Sequence, residues 1–225
     1  MAEAPRGRAS VVEREFDALA PEYERNRLAP WYQAQADEVL RACPEPGAGD
    51  ILDVGCGTGY LLRRMLRTRP AARGLGIDLA GEMVRQASRL AAENHIDNVR
   101  FIRADWESLD PCVLEEYDFR LAFCTSAFHY FSNPGAATVK LYRALGPGGS
   151  LYLVERNKSR SLMTGIWGWL HRHWIRDNVS FYELEELQSL LRAAGFARVR
   201  TLRTINRVLW KNKLYTSVAL IECTR

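Results

Sequence analysis

The sequence predicts an α/β fold built on a mostly parallel sheet, and three observations carry that expectation. Short apolar runs alternate with segments of helical periodicity from about residue 50 to residue 155, and parallel neighbours need such crossover connections. The first run, Ile51 to Val54, opens straight into Gly-Cys-Gly-Thr-Gly, a bare loop where a strand hands over to a helix. After Gly195 the pattern changes to two strand-like stretches, close enough to pair as a hairpin.

The elements follow in order. A polar leader runs into "FDALAPEYERNRLAP", which Pro21 and Pro30 interrupt, and Tyr32, Ala36, Val39, Leu40 and Cys43 then recur at helical spacing. This helix begins near Pro30 and stops at "PEPGAG". The strand at Ile51, the glycine loop and the helix "YLLRRMLRT", closed by Pro70, come next. A strand "GLGID", a helix "EMVRQASRLAAEN" and a strand "NVRFIRA" continue the alternation. "FRLAFCT" is a fourth strand, "GAATVKLYRAL" a helix stopped by "GPGG", and "SLYLVE" a fifth strand. Leu184, Leu187, Leu190 and Leu191 form a last helical stripe, and "ARVRTLRTI" and "LYTSVALIEC" flank a turn around "KNK".

With 225 residues and no long linker, the chain reads as one domain, with residues 1–45 as an N-terminal helical lid and 156–180 as an insertion in the substrate region. The net charge of +4 comes with only four lysines among 31 basic residues, and such arginine richness does not by itself argue for nucleic acid. The start lacks an apolar signal core and no run reaches about eighteen apolar residues, so a soluble, cytoplasmic protein is expected. The five cysteines are odd in number and form no C-x-x-C pair, which disfavours disulfides and zinc alike.

Gly55, Gly57 and Gly59 lie where an open α/β sheet places its ligand crevice, and they let a ligand approach the backbone near a helix start. Asp78 ends the second strand nineteen positions after Gly59, a spacing that fits a carboxylate gripping two ribose hydroxyls. The glycines are not spaced as in G-x-G-x-x-G, and Asp53 stands two residues before them. A carboxylate so close repels a pyrophosphate and suits an ammonium or sulfonium group.

With "ILDVGCGTG", "GIDLAGEMV", "FIRADWESL", "LAFCTSAFHYF" and "LGPGGSLYLVE" in this order, the sequence resembles the class I S-adenosylmethionine-dependent methyltransferases, most of all the small-molecule enzymes of quinone biosynthesis and natural-product tailoring. The resemblance implies a Rossmann-like, doubly wound sheet of seven strands, mostly parallel, with an antiparallel C-terminal hairpin strand. It also implies that the backbone around Gly55, Cys56 and Gly57 faces the methionine part of the cofactor, with Asp53 at its amino end. Asp78 would hold the ribose, Leu79 and Met83 would flank the adenine, and Asp105 would accept from the adenine amino group beside Trp106. Cys124 would offer its backbone carbonyl to the methionine amine, and Tyr23, in a segment resembling F-D-x-x-A-x-x-Y, would form part of the lid.

Methyl transfer from a sulfonium is an in-line displacement that needs alignment, exclusion of water and, for some acceptors, a base. His129, just past the fourth strand, is the candidate base or a pocket-lining residue; Tyr130 is the second candidate, since one of the two neighbours should point away. The Trp- and Arg-rich segment from Arg156 to Ser180 places Leu162, Ile166, Leu170 and Trp174 on one line of a helix. It reads as a lid for an aromatic or lipophilic acceptor, as packing against the sheet, or as a membrane-surface or dimer contact. His171 and His173 lack a nearby carboxylate set, and Glu155 and Asn157 are too few to hold magnesium, so no metal is expected.

"CTSAFHYF" is not the Asn/Asp-Pro-Pro-aromatic arrangement used on exocyclic amines, so a small organic acceptor is favoured over nucleic acid, with the protein a monomer or homodimer. A nicotinamide-linked oxidoreductase is disfavoured by the glycine spacing and the lack of a Tyr-x-x-x-Lys pair. An RNA or protein methyltransferase and a non-catalytic cofactor-binding module remain as alternatives.

Overall fold

The computed structural model describes residues 6–27, 29–43, 49–157, 182–205, 209–210, 213–214 and 217–225. Its first helix is α1 (Arg6–Leu19), within the 1–45 stretch that the sequence marks as a helical lid without giving a helix before Pro30 its bounds. The helix forms because Val12, Phe16 and Leu19 recur at i, i+4 and i+7, and it docks where Asp17 Oδ1 accepts the Glu82 N–H at 2.7 Å. A 3₁₀ turn (Ala20–Glu22) leads to α2 (Ala29–Ala42).

Strand β1 (Asp50–Val54) is buried along its whole length, since helices cover both of its faces. It is followed by α3 (Tyr60–Arg67), β2 (Gly74–Asp78), α4 (Gly81–Glu93), β3 (Val99–Arg103) and β4 (Phe119–Thr125). Then come α5 (Pro134–Ala144), β5 (Leu145–Asn157), α6 (Leu184–Ala193) and β6 (Arg198–Ile205). The pair β7 (Leu209–Trp210) and β8 (Lys213–Leu214) precedes β9 (Ser217–Thr224). Helix α5 ends just before "GPGG", as expected, and β5 begins earlier than expected: Leu145 already pairs with Phe119, and after a register shift Ser150 pairs with Leu121.

The main sheet has seven strands in the order β3-β2-β1-β4-β5-β9-β6. β1 pairs in parallel with both β2 and β4, so the strand order reverses beside β1, and a crevice opens at the carboxyl ends there. β9 runs antiparallel to both neighbours, as expected for the terminal hairpin.

Alternate residues feed two cores. Leu52, Leu75, Ala122, Leu151 and Ile221 face α5 and α6, while Ile51, Phe123, Tyr152 and Leu220 face α2 and α3. Leu162, Ile166, Leu170, Trp174, His171 and His173 all lie outside the described residues, as does the 156–180 insertion apart from Arg156 and Asn157. Among the described residues no helix is long and apolar enough to cross a membrane.

Candidate active site

Three neighbouring strands each bring an acid to the crevice: Asp53 near the end of β1, Asp78 at the end of β2, and Asp105 two residues past β3. The loop after β1 bends back on itself so that Gly55 and Cys56 donate their N–H groups to the Ile77 carbonyl at 2.8 and 3.1 Å. Gly57 donates to Asp78 Oδ2 at 2.7 Å. Gly55 and Gly57 hold φ of +74° and +53°, and a Cβ on Gly55 would meet that of Ala127 at 2.3 Å, so a side chain there would open the loop.

Two cavities share Tyr23, Gly55, Gly57, Thr125 and Ser126 in their walls. The larger, about 140 Å³, is bordered by Asp78, Leu79, Asp105 and Trp106 on one side and by Phe16, Tyr130 and Phe131 on the other. The smaller, about 60 Å³, is bordered by Glu24, Tyr32, Gln35, Asp53, Cys56 and Thr58. The larger has room for a flat apolar group, and the smaller takes a short polar end.

Half-buried Asp78 and buried Asp53 differ in their partners. Asp78 accepts from Gly57 and, through Oδ1, from the Ala80 N–H at 2.9 Å, with the Leu79 N–H a further backbone donor to its carboxyl. Burial raises its pKa, with the bonds from Ala80 and Gly57 opposing. Asp53 is 1% exposed, and among the described residues its Oδ1 has no hydrogen-bond partner. Burial, followed by repulsion from Asp78, pushes its pKa up to about 8. A carboxyl left without a partner in the wall of a cavity is poised for a cationic ligand.

The remaining sequence-predicted residues divide between the crevice and its supports. Leu79, Asp105 and Trp106 border the larger cavity, and the Trp106 indole N–H donates to the Ala137 carbonyl at 3.2 Å. Tyr23 stacks on Tyr32 with ring centroids 5.0 Å apart and lies against Gly57, so it roofs both cavities. Met83 borders neither cavity: it is fully buried with Ala20 and Ala80 beneath Phe16, Leu19 and Tyr23, where it supports the roof. Cys124 is also fully buried, and the strand presents Thr125 and Ser126 to the crevice instead. Burial raises the thiol pKa of Cys56 and of Cys124 well above the ordinary value, which leaves both uncharged and unreactive.

The two catalytic candidates are placed differently. A 3₁₀ turn (Phe128–Tyr130) points His129 into the interior, where its Nδ1 lies 2.9 and 3.0 Å from the two carboxylate oxygens of Glu155. The backbone N–H of His129 also donates to Glu155 Oε2 at 3.1 Å. Burial raises the Glu155 pKa, but the His129 charge and hydrogen bond and the Arg156 N–H outweigh it and hold the carboxyl low. His129 borders neither cavity, whereas Tyr130 borders the larger one, with its ring 4.2 Å from the imidazole and 5.6 Å from Phe16. The two rings pack side by side, with His129 held by Glu155 and Tyr130 at the wall of the cavity.

Sequence reasoning missed Phe16, Glu24, Gln35 and Ser126. Gln35 carried a signal: it sits on the apolar stripe of α2 with Tyr32, Ala36 and Val39, where a polar residue is out of place. Glu24 accepts from Thr58 at 2.7 Å and is ion-paired with Arg63, contacts that no local pattern announces. Among the described residues no group of three or more His, Cys, Asp or Glu is placed to hold a metal ion.

Residues 51–149 match a family described as a methyltransferase domain. The chain is 37% identical over 149 residues to a malonyl-[acyl-carrier protein] O-methyltransferase of Hahella chejuensis, covering 63% of this chain and 48% of that protein. It is 26% identical over 212 residues to the ubiquinone/menaquinone biosynthesis C-methyltransferase UbiE of Desulfotalea psychrophila, covering 84% and 83%. Several other curated relatives are matched over only 30% to 49% of their length. The crystal structure of magnesium protoporphyrin IX methyltransferase from Synechocystis PCC 6803 with bound SAM aligns with a TM-score of 0.67 over 100% of both chains, and at 16% identity this shows a common fold. Motif order, sheet order and these matches agree in the likeness of the chain to the class I S-adenosylmethionine-dependent methyltransferases, with a methyltransferase domain matched over residues 51–149.

Proposed function

We propose that this chain transfers a methyl group from S-adenosylmethionine to a small aromatic or lipophilic acceptor. The observation that carries the reading is the row of acids along one crevice, ending at a buried Asp53 oxygen without a partner. That oxygen fits the ammonium of an amino acid, and the Asp78 carboxyl, at the wall of the larger cavity, fits the ribose. Leu79, Asp105 and Trp106 would hold the adenine, with Tyr23 closing over the loop. When bound, the cofactor supplies an electrophilic methyl group on a sulfonium.

The chain's own part is to align the acceptor and exclude water. The acceptor would enter the larger cavity between Phe16, Tyr130 and Phe131, an aromatic wall that suits a flat or lipophilic molecule. Tyr130 is the residue of the turn that would touch it, holding a proton or a hydrogen bond at the phenol oxygen. His129, fixed by Glu155, acts through Tyr130 as a positioning residue. Among the relatives' names, acyl-carrier, quinone and porphyrin methyltransferases fit an organic acceptor of this kind, while a tRNA (guanine-N(7)-)-methyltransferase and a release factor glutamine methyltransferase fit the rival.

The test is transfer of label from methyl-labelled cofactor to a panel of phenols, quinols and acyl carboxylates, with a transfer RNA pool as the rival. Label in an organic acceptor is expected, with Tyr130→Phe lowering turnover about tenfold or more and leaving affinity for S-adenosylhomocysteine unchanged. Label only in RNA, or none in any acceptor, would overturn the reading.

A further inference from the structure

The smaller cavity contains an unsatisfied donor as well as an unsatisfied acceptor. Gln35 is 2% exposed and borders this cavity, and its Nε2 meets no hydrogen-bond acceptor among the described residues. Its other amide atom is fixed: the Ser126 hydroxyl donates to Gln35 Oε1 at 2.7 Å. Ser126 is itself held, with a φ of +53° that a serine rarely adopts and an N–H that donates to the Val154 carbonyl at 2.8 Å. The amide of Gln35 is therefore oriented before any ligand arrives, and a donor left in the wall of a polar cavity costs stability unless a ligand meets it.

The chemistry around it says which ligand group that is. The glycine loop cannot supply donors there through Gly55, Cys56 or Gly57, since their N–H groups are occupied by Ile77 and Asp78. No Lys, Arg or His stands among the described residues bordering the cavity, and Arg63 behind it is paired with Glu24. The carboxylate of an amino acid whose ammonium sits at Asp53 meets in Gln35 Nε2 a donor already aimed and unoccupied. We propose that Gln35, oriented by Ser126, recognises the carboxylate at the amino-acid end of the cofactor, so that Gln35 and Asp53 together read that end as a zwitterion. This rests on the reading that the crevice takes S-adenosylmethionine.

Calorimetric binding of three probes tests it: S-adenosylhomocysteine, its decarboxylated analogue, and methylthioadenosine, which lacks the whole amino-acid end. Gln35→Met keeps the length of the side chain and removes the donor, and a thermal melt checks that the variant is folded. The expected result is a loss of about tenfold or more for S-adenosylhomocysteine and less than twofold for the other two probes. Ser126→Ala, which frees the amide without removing it, should give a smaller loss of the same selectivity. An equal loss for the first two probes would show that Gln35 serves the ammonium or the fold, and would overturn the inference alone. A wild-type chain that binds none of the three would overturn the cofactor reading with it.

Discussion

Strand β1 carries two buried aspartates three residues apart, and they are treated in opposite ways. At its amino end Asp50 accepts from the N–H groups of Arg73 at 3.1 Å and Asp118 at 3.0 Å, and from the Arg73 guanidinium at 2.5 Å. Burial opposes ionisation there, but these bonds win and hold its pKa below the ordinary value. At the carboxyl end Asp53 has an oxygen without a partner, and its pKa is pushed up to about 8. The same side chain in the same strand thus serves the fold at one end and waits for a ligand at the other. Satisfaction of buried polar groups, more than residue type, separates scaffold from site.

The largest effect that sharpens this contrast is on affinity. Asp53→Asn should weaken S-adenosylhomocysteine binding by about a hundredfold, because the ligand ammonium is left buried without its counter-charge. Calorimetry reads this directly. The same substitution should stabilise the ligand-free protein. Between pH 4 and pH 8 folded Asp53 binds more protons than its unfolded counterpart, so the wild type loses stability as pH rises through that window. Asp53→Asn removes the loss, so its gain in melting temperature over the wild type should be largest at pH 8 and fade towards pH 4.

A stability change of opposite sign is expected at the other end of the strand. Asp50→Ala leaves the amides of Arg73 and Asp118 without their acceptor and should cost about 2 kcal/mol in a thermal melt, with cofactor affinity unchanged. If Asp50→Ala lowered affinity as much as Asp53→Asn does, the division between the two ends would fail.

How much of this the sequence revealed follows from the range over which each feature is determined. The strand, the glycine loop and the acids Asp53, Asp78 and Asp105 are local: each sits at or just past the end of an apolar run, and their places in the fold follow from alternation alone. The bounds and docking of helix α1 were not legible, since its short apolar stripe gains meaning only against Met83 and the start of α4. The placement of His129 depended on Glu155, 26 residues away, and that of Gln35 on Ser126, 91 residues away. Pairings at such separations are set by the topology of the sheet and leave no periodic trace. The expectation for Met83 shows the same limit, since a methionine at a cofactor-facing position of α4 turns inward once α1 covers it.

The contrast between the two aspartates has one direct consequence in solution. If Asp53 is protonated in the free protein and meets an ammonium in the complex, binding must release a proton below about pH 8. Calorimetry of S-adenosylhomocysteine at pH 6.5, repeated in buffers of different ionisation enthalpy, counts that proton. We predict release of about one proton by the wild type, and none by Asp53→Asn or with methylthioadenosine. Tight binding with no proton released by the wild type, or the same release by Asp53→Asn, would contradict the account.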